Sequence, residues 1–202
     1  MNIIHELINK APRDFLRAAL KFSPDLTKSF SDFHVRGVNH VCLSRSEELT
    51  LKLYELPVHE TRYLVSPHNH VYNFDTILIY GDVSNYFFTR TDFTGEAYGH
   101  RRFQSKMNGG NGFSENYDQC RLRFDGNIQL MNQFDKYYCS IGQIHTLKVF
   151  KPSLIFIAQY KDIDVVSDVF TQWDIPSLEG LYNKLSESEA ERILDIARKT
   201  VA

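Results

Sequence analysis

Two histidines one residue apart, His68 and His70, lie in the stretch Pro67-His68-Asn69-His70-Val71-Tyr72-Asn73-Phe74-Asp75-Thr76-Ile77-Leu78-Ile79-Tyr80-Gly81. In extended backbone side chains alternate between faces, so both imidazoles project to one side. Imidazole is the commonest protein ligand for a borderline transition metal, and a pair on one face makes half a site. The segment Ser140-Ile141-Gly142-Gln143-Ile144-His145 offers the other half. His145 opens an apolar strand just after a glycine that permits a tight turn. Three imidazoles on one ion leave coordination positions open for water, substrate or dioxygen, which a catalytic site requires. The alternative is that they are polar interior residues satisfied by tyrosine or water.

Strand parity supplies the remaining candidates. Arg62 would share the face of His68 and His70 and could grip a substrate carboxylate with its planar fork, or stand in an exposed salt bridge. In the returning strand Phe74, Thr76, Leu78 and Tyr80 would face the pocket, with Thr76 and Tyr80 giving hydroxyls to a substrate in an otherwise apolar site. Tyr72 and Asp75 are placed to orient a ligand imidazole through its other ring nitrogen. The histidines His5, His34, His40, His59 and His100 are taken as structural.

These residues resemble the two motifs of the cupin superfamily. His68-x-His70, a gap of three residues, Phe74, six residues and Gly81 match the first motif in register, with Phe where the family usually has Glu. A gap of four puts Asp75 in that place and leaves Gly81 one residue short. Ser140-x-Gly142-x-x-His145-x-x-x-Val149 matches the second, with Ser for Pro and Val for Asn. The resemblance implies a metal on His68, His70 and His145. A set without a carboxylate is similar to the thiol-dioxygenase branch, which implies ferrous iron, dioxygen and a thiol- or amino-acid-like substrate. Zinc and manganese are the other metals that suit such a set.

The elements that must position these residues follow from periodicity. Apolar residues at helical spacing from Ile3 to Leu20, interrupted by Pro12, predict two short helices. From Phe30 onward short β-like pieces at Phe33–Leu43, Leu49–Leu56 and Arg62–Ser66 predict a sandwich or jelly roll rather than β-α-β units. Asp125-Gly126-Asn127 predicts a hairpin, and Lys151-Pro152 a junction between two strands. Met107–Gly112 is a glycine-rich loop, a mobile surface loop or a lid over the barrel. Ser186-Glu187-Ser188-Glu189 is a capping box opening a helix with the stripe Ala190, Ile193, Leu194 and Ala197. The expected fold is mainly β, a cupin-type double-stranded β-helix (jelly roll) in one domain. It has an N-terminal helical arm over residues 1–30, a barrel over 31–165 and a C-terminal helix over 177–202. The helices either cover the sheet or join two subunits of a homodimer.

Composition bounds the function. The 202 residues carry a formal charge of -2, which offers no electrostatic case for nucleic acid or an anionic membrane. Cys42, Cys120 and Cys139 are odd in number and form no C-x-x-C, so reduced thiols in a cytoplasmic protein are expected. The expected activity is a non-haem iron dioxygenase acting on a small carboxylate- or thiol-bearing substrate. A metal-dependent isomerase or lyase, needing a proton acceptor such as Asp75, is the enzymatic alternative. A non-enzymatic cupin that binds a small ligand is the other.

Overall fold

A computed structural model describes residues 3–58, 63–104, 112–113, 118–163, 166–171 and 180–202. Helices α1 (Ile3–Lys10) and α2 (Pro12–Ala19) precede the strands β1 (Phe30–Ser31), β2 (Asn39–Arg45), β3 (Leu49–Leu56), β4 (Tyr72–Thr91) and β5 (Glu96–Gln104). Then come β6 (Gly112–Phe113), β7 (Asp118–Leu130), β8 (Lys136–Cys139), β9 (Ile144–Asp162), β10 (Val166–Thr171), β11 (Asn183–Lys184) and the terminal helix α3 (Glu187–Val201). The fold is mainly β and antiparallel, with helices at both ends, as the periodicity predicts. No helix among the described residues is long and apolar enough to cross a membrane.

The long strands β4 and β9 pair along almost their whole length, from Tyr72 opposite Asp162 to Phe88 opposite Ile144. The sequence pattern predicts a junction at Lys151-Pro152 that would divide β9. Instead β9 runs on through it, and β4 and β9 bend together at Gly81 and Pro152. Register shifts at Leu78/Tyr80, Tyr80/Asp82 and Asp82/Val83 mark the bend, a bulge that turns the strand without ending it. Gly81 adopts φ +112, and a Cβ at this position would overlap Ser153. Pro152 has no N–H to give the ladder, and Ser153 Oγ accepts from the Asp82 amide at 3.0 Å beside it. Asp125-Gly126-Asn127 likewise makes no hairpin. It lies within β7, where the pairing with β4 shifts between Phe87 and Phe88, and the ladder running on along β4 turned the glycine signal into a bulge.

The barrel closes through a segment that is not itself a long strand. β7 pairs β4 and β5, and β5 pairs β10. His68 bridges both His145 on β9 and Val169 on β10. Its amide donates to the His145 carbonyl at 2.9 Å, and the His145 amide returns the bond at 2.8 Å. On the other edge Asn69 N–H donates to the Asp168 carbonyl at 3.0 Å and Phe170 N–H to the Pro67 carbonyl at 2.8 Å. The ring β9, 67–69, β10, β5, β7, β4 is therefore complete, and the β structure continues past residue 165 to Thr171. Barrel closure removes two sheet edges that would otherwise expose unpaired backbone groups.

Alternation along the strands separates an outer core from an inner one, and a further cluster around Phe88, Tyr98, Leu122 and Phe170 lies among β4, β5, β7 and β10. Outside, Val41, Leu43, Leu51, Leu53, Ile77, Ile79, Leu154 and Phe156 pack against Ile8 and Leu16 and against Ala190, Ile193, Leu194 and Ala197 of α3. Each such large side chain, fully buried, contributes roughly 1.5–3 kcal/mol. Ser186 caps α3 by accepting from the Glu189 amide at 3.2 Å, so the helix begins where the capping signature put it. Inside, Phe74, Leu78, Val83, Tyr137, Cys139, Val149 and Ile155 fill the barrel. The cysteines are free and buried.

Candidate metal centre

The three histidines reach one point inside the barrel. One ring nitrogen from each of His68, His70 and His145 lies within 4.8 Å of the others. Ring centroids are 4.7 Å apart for His68 and His70, 4.8 Å for His68 and His145, and 5.0 Å for His70 and His145. The alternation that brings His68 and His70 to one side sends Asn69 to the other, where its side-chain amide donates to Asp168 Oδ2 at 3.0 Å. Asp168 also accepts from His100 Nε2 at 2.8 Å, which ties the ligand-bearing segment to β5 and β10. His145 enters from β9, the strand against which that segment closes the barrel.

Two of the rings are held in a defined tautomer. His68 Nδ1 lies 2.9 Å from the Ser66 carbonyl, and a carbonyl only accepts, so Nδ1 carries the proton and Nε2 keeps its lone pair. His145 Nδ1 stands 2.6 Å from Asn85 Oδ1 in the same relation. His145 Nε2 in turn faces His70 Nε2 at 2.8 Å. Burial is the main reason that all three imidazoles titrate below the usual histidine range, and the neighbouring rings add to it for His70 and His145. Neutral rings with inward lone pairs are the state a metal needs.

The donor set fits a divalent transition ion. Nitrogens bound to one ion at about 2.1 Å stand about 3–3.5 Å apart. The spacing here, from 2.8 Å to at most 4.8 Å, brackets that range. Among the described residues no carboxylate joins this cluster.

Phe74 occupies the position beside the rings. It is 3 % exposed, with its centroid 4.9 Å from His70 and 5.6 Å from His145. The register that places Phe74, not Asp75, next to the histidines is thus the one the chain adopts. Asp75 turns to the opposite face of β4, where its carboxylate, 2 % exposed, accepts from His5 Nδ1 at 2.9 Å and from the Tyr160 hydroxyl. It cannot orient a ligand imidazole from there. Strand parity is the reason, since neighbours in a strand face opposite ways.

The bulge corrects a second expectation. Tyr80 packs in the outer core with Ile77 and Ile79 rather than inside with Leu78, because an extra residue in the strand inverts the count beyond it. Tyr80 is therefore no candidate for contact with a substrate in the barrel. Thr76 does share the inner parity of Phe74 and Leu78, and is fully buried opposite Tyr137. Tyr72 packs its ring 4.9 Å from that of His70 at a tilt of 37°, a packing neighbour rather than a hydrogen-bond partner. Arg62, His59 and the loop residues before Gly112 lie outside the described residues.

The residue that does orient His145 is Asn85, which is fully buried. The signal for it was an amide in the middle of a strand, where asparagine is depleted. Lys52 was also missed. It alternates with Leu51 and Leu53 of the outer core, so its side chain enters the barrel.

No protein-family model matches the sequence. No curated protein matches it. Solved structures match it at low similarity. A cupin superfamily protein from Desulfitobacterium hafniense is 13% identical over 62% of this chain and 78% of its own, with a TM-score of 0.38. KdgF from a Halomonas species is 11% identical over 69% of this chain and 93% of its own, at 0.39. Hydroxypropylphosphonic acid epoxidase from S. wedmorenis is 12% identical over 69% of this chain and 58% of its own, at 0.38. At these scores the functional reading rests on the side-chain geometry of this chain.

Proposed function

We propose that this chain is a metal-dependent cupin that holds one ferrous ion on His68, His70 and His145 and oxidises a small organic substrate with dioxygen. The observation that carries the reading is the convergence of three buried imidazoles on one point of the barrel interior, two of them with the Nε2 lone pair left free by a hydrogen bond at Nδ1. Ferrous iron bound there would supply a site for dioxygen and for an anionic donor atom of the substrate. The chain supplies the rest. Ser66 and Asn85 hold ring orientation, and Phe74, Leu78 and Ile155 keep the surroundings apolar. Neutral ligands leave an ion its full charge, which favours an anionic substrate, either carboxylate or thiolate.

An isomerase or lyase would need a proton acceptor near the metal. Asp75, the sequence candidate for that role, is on the outer face with His5 and Tyr160, which weighs against this alternative. A metal-free small-ligand cupin remains the competitor outside enzymology.

Elemental analysis of protein prepared without a histidine tag tests the reading. The expected result is about one iron per chain, lost in His68→Ala and in His145→Ala, with oxygen uptake on addition of carboxylate- or thiol-bearing compounds. Stoichiometric zinc without oxygen uptake overturns the oxygenase; no metal in any preparation overturns the centre itself.

A further inference from the structure

Lys52 is an interior cation without an anion among the described residues. It projects from β3 into the barrel, half-buried, with its ammonium bonded to Gln159 Oε1 and lying 5.5 Å from the centroid of the Tyr72 ring. Among the described residues no carboxylate lies within ion-pairing distance. Asp162, which accepts from Gln159 Nε2 at 3.2 Å, acts on Lys52 only at longer range, against Arg45 on the same side. An enclosed charge is costly unless it is paired, and the neutral amide and the ring offset only part of that cost. Burial lowers the amine to about 8, so it still carries its proton at neutral pH.

The place of this charge relative to the histidines gives it a meaning. The Tyr72 ring that Lys52 approaches is itself 4.9 Å from the His70 ring. Lys52 and the three-imidazole point are thus one aromatic ring apart on the same inner surface. His40 and Tyr54, paired across β2 and β3 next to the Cys42–Lys52 pair, have their rings 5.0 Å apart.

We propose that Lys52 binds the carboxylate of the substrate at the end remote from the histidine centre, so that the substrate is a small organic acid with a second donor group several bonds away. This rests on the metal reading for the near end of the substrate only. The far end depends on the lysine alone. Gln159 holds the ammonium in position, and the Tyr72 ring forms the wall between the two ends. A carboxylate arriving here replaces a partial pairing with a full one, in a setting where charge-assisted hydrogen bonds are strong.

Calorimetric titration with succinate, glutarate and adipate, each against its uncharged diamide, tests the proposal on metal-loaded wild type, Lys52→Met and Lys52→Arg. At least one dicarboxylate is expected to bind wild type while its diamide does not. Lys52→Met should weaken that binding about tenfold or more and Lys52→Arg by only about threefold. Elemental analysis of the same samples should give equal metal content in all three. Binding unchanged in Lys52→Met, a diamide that binds as well as its acid, or no binding by any of the acids overturns the assignment. Repeating the titration after chelation separates the two readings. A lysine-dependent preference for acid over amide in metal-free protein supports the Lys52 site whatever becomes of the metal, and its disappearance on chelation overturns the lysine's independent hold on the far end.

Discussion

Asn85 Oδ1 stands 2.6 Å from His145 Nδ1, an interior amide paired with the ring that enters from the opposite long strand. The pair crosses the β4–β9 ladder, where Asn85 lies opposite Leu147 and Phe87 opposite His145. By accepting the Nδ1 proton, Asn85 leaves Nε2 directed at the other imidazoles. Asn85→Ala should fold and should lower metal affinity about 10–100-fold. Competition against a chelator of known affinity reads this directly, and an unchanged affinity would remove Asn85 from the site.

Phe74 beside His70 and His145 is open to a sharper test. Phe74→Glu places a carboxylate among the imidazoles, where it is a buried uncompensated charge without metal and a fourth donor with it. In chelator the variant should lose about 3 kcal/mol or more of stability. Added ferrous or zinc ion should recover most of the loss and raise metal retention above that of wild type. Thermal melts with and without metal check both halves.

Asp75 should behave as a structural residue. It joins α1 to the sheet through His5 and also accepts from Tyr160. Asp75→Asn keeps the shape and removes the charge, so the melting temperature should fall by several degrees, for a cost of about 1–3 kcal/mol. Metal content and oxygen uptake should not change. Loss of turnover with the ion retained would return Asp75 to the chemistry and favour the isomerase or lyase reading.

His40 makes stability depend on pH. It is 3 % exposed and stacked 4.4 Å from the Phe33 ring. Burial holds it well below the usual histidine value, and a contact with the Lys28 backbone opposes this weakly. Above about pH 6.5 the ring is neutral in both folded and unfolded chains, and stability does not depend on it. Below that value the unfolded chain takes up a proton that the folded chain refuses, so stability falls by up to about 1.4 kcal/mol per pH unit. Denaturant titrations at pH 7.5, 6 and 5 should show His40→Phe losing less than wild type by that slope.

Local pattern made much of this protein legible in one dimension. The alternation of Leu49, Leu51 and Leu53 with Thr50, Lys52 and Tyr54 matches β3 to the residue, and the capping box at Ser186 marks the start of α3. Both signals are set within a few residues, by side-chain direction in a strand and by unpaired amides at a helix start. The spacing of His68 and His70 belongs to the same class, since a two-residue repeat fixes a shared face without reference to anything distant.

The fold alone decided what depends on partners far along the chain. Whether Phe74 or Asp75 would stand by the histidines was open in the motif and was settled by which face of β4 meets the barrel interior. Tyr80 fell on the wrong side because the bulge at Gly81 exists only when β9 lies alongside. Asp125-Gly126 became a bulge, not a turn, because β4 pairs with β7 on both sides of it. Lys52 carried no local signature of a site, and the mid-strand amide of Asn85 did not say which side chain it would meet. Their surroundings follow from the pairing of β3 and β4 with β9, long-range contacts that no window of neighbouring residues contains.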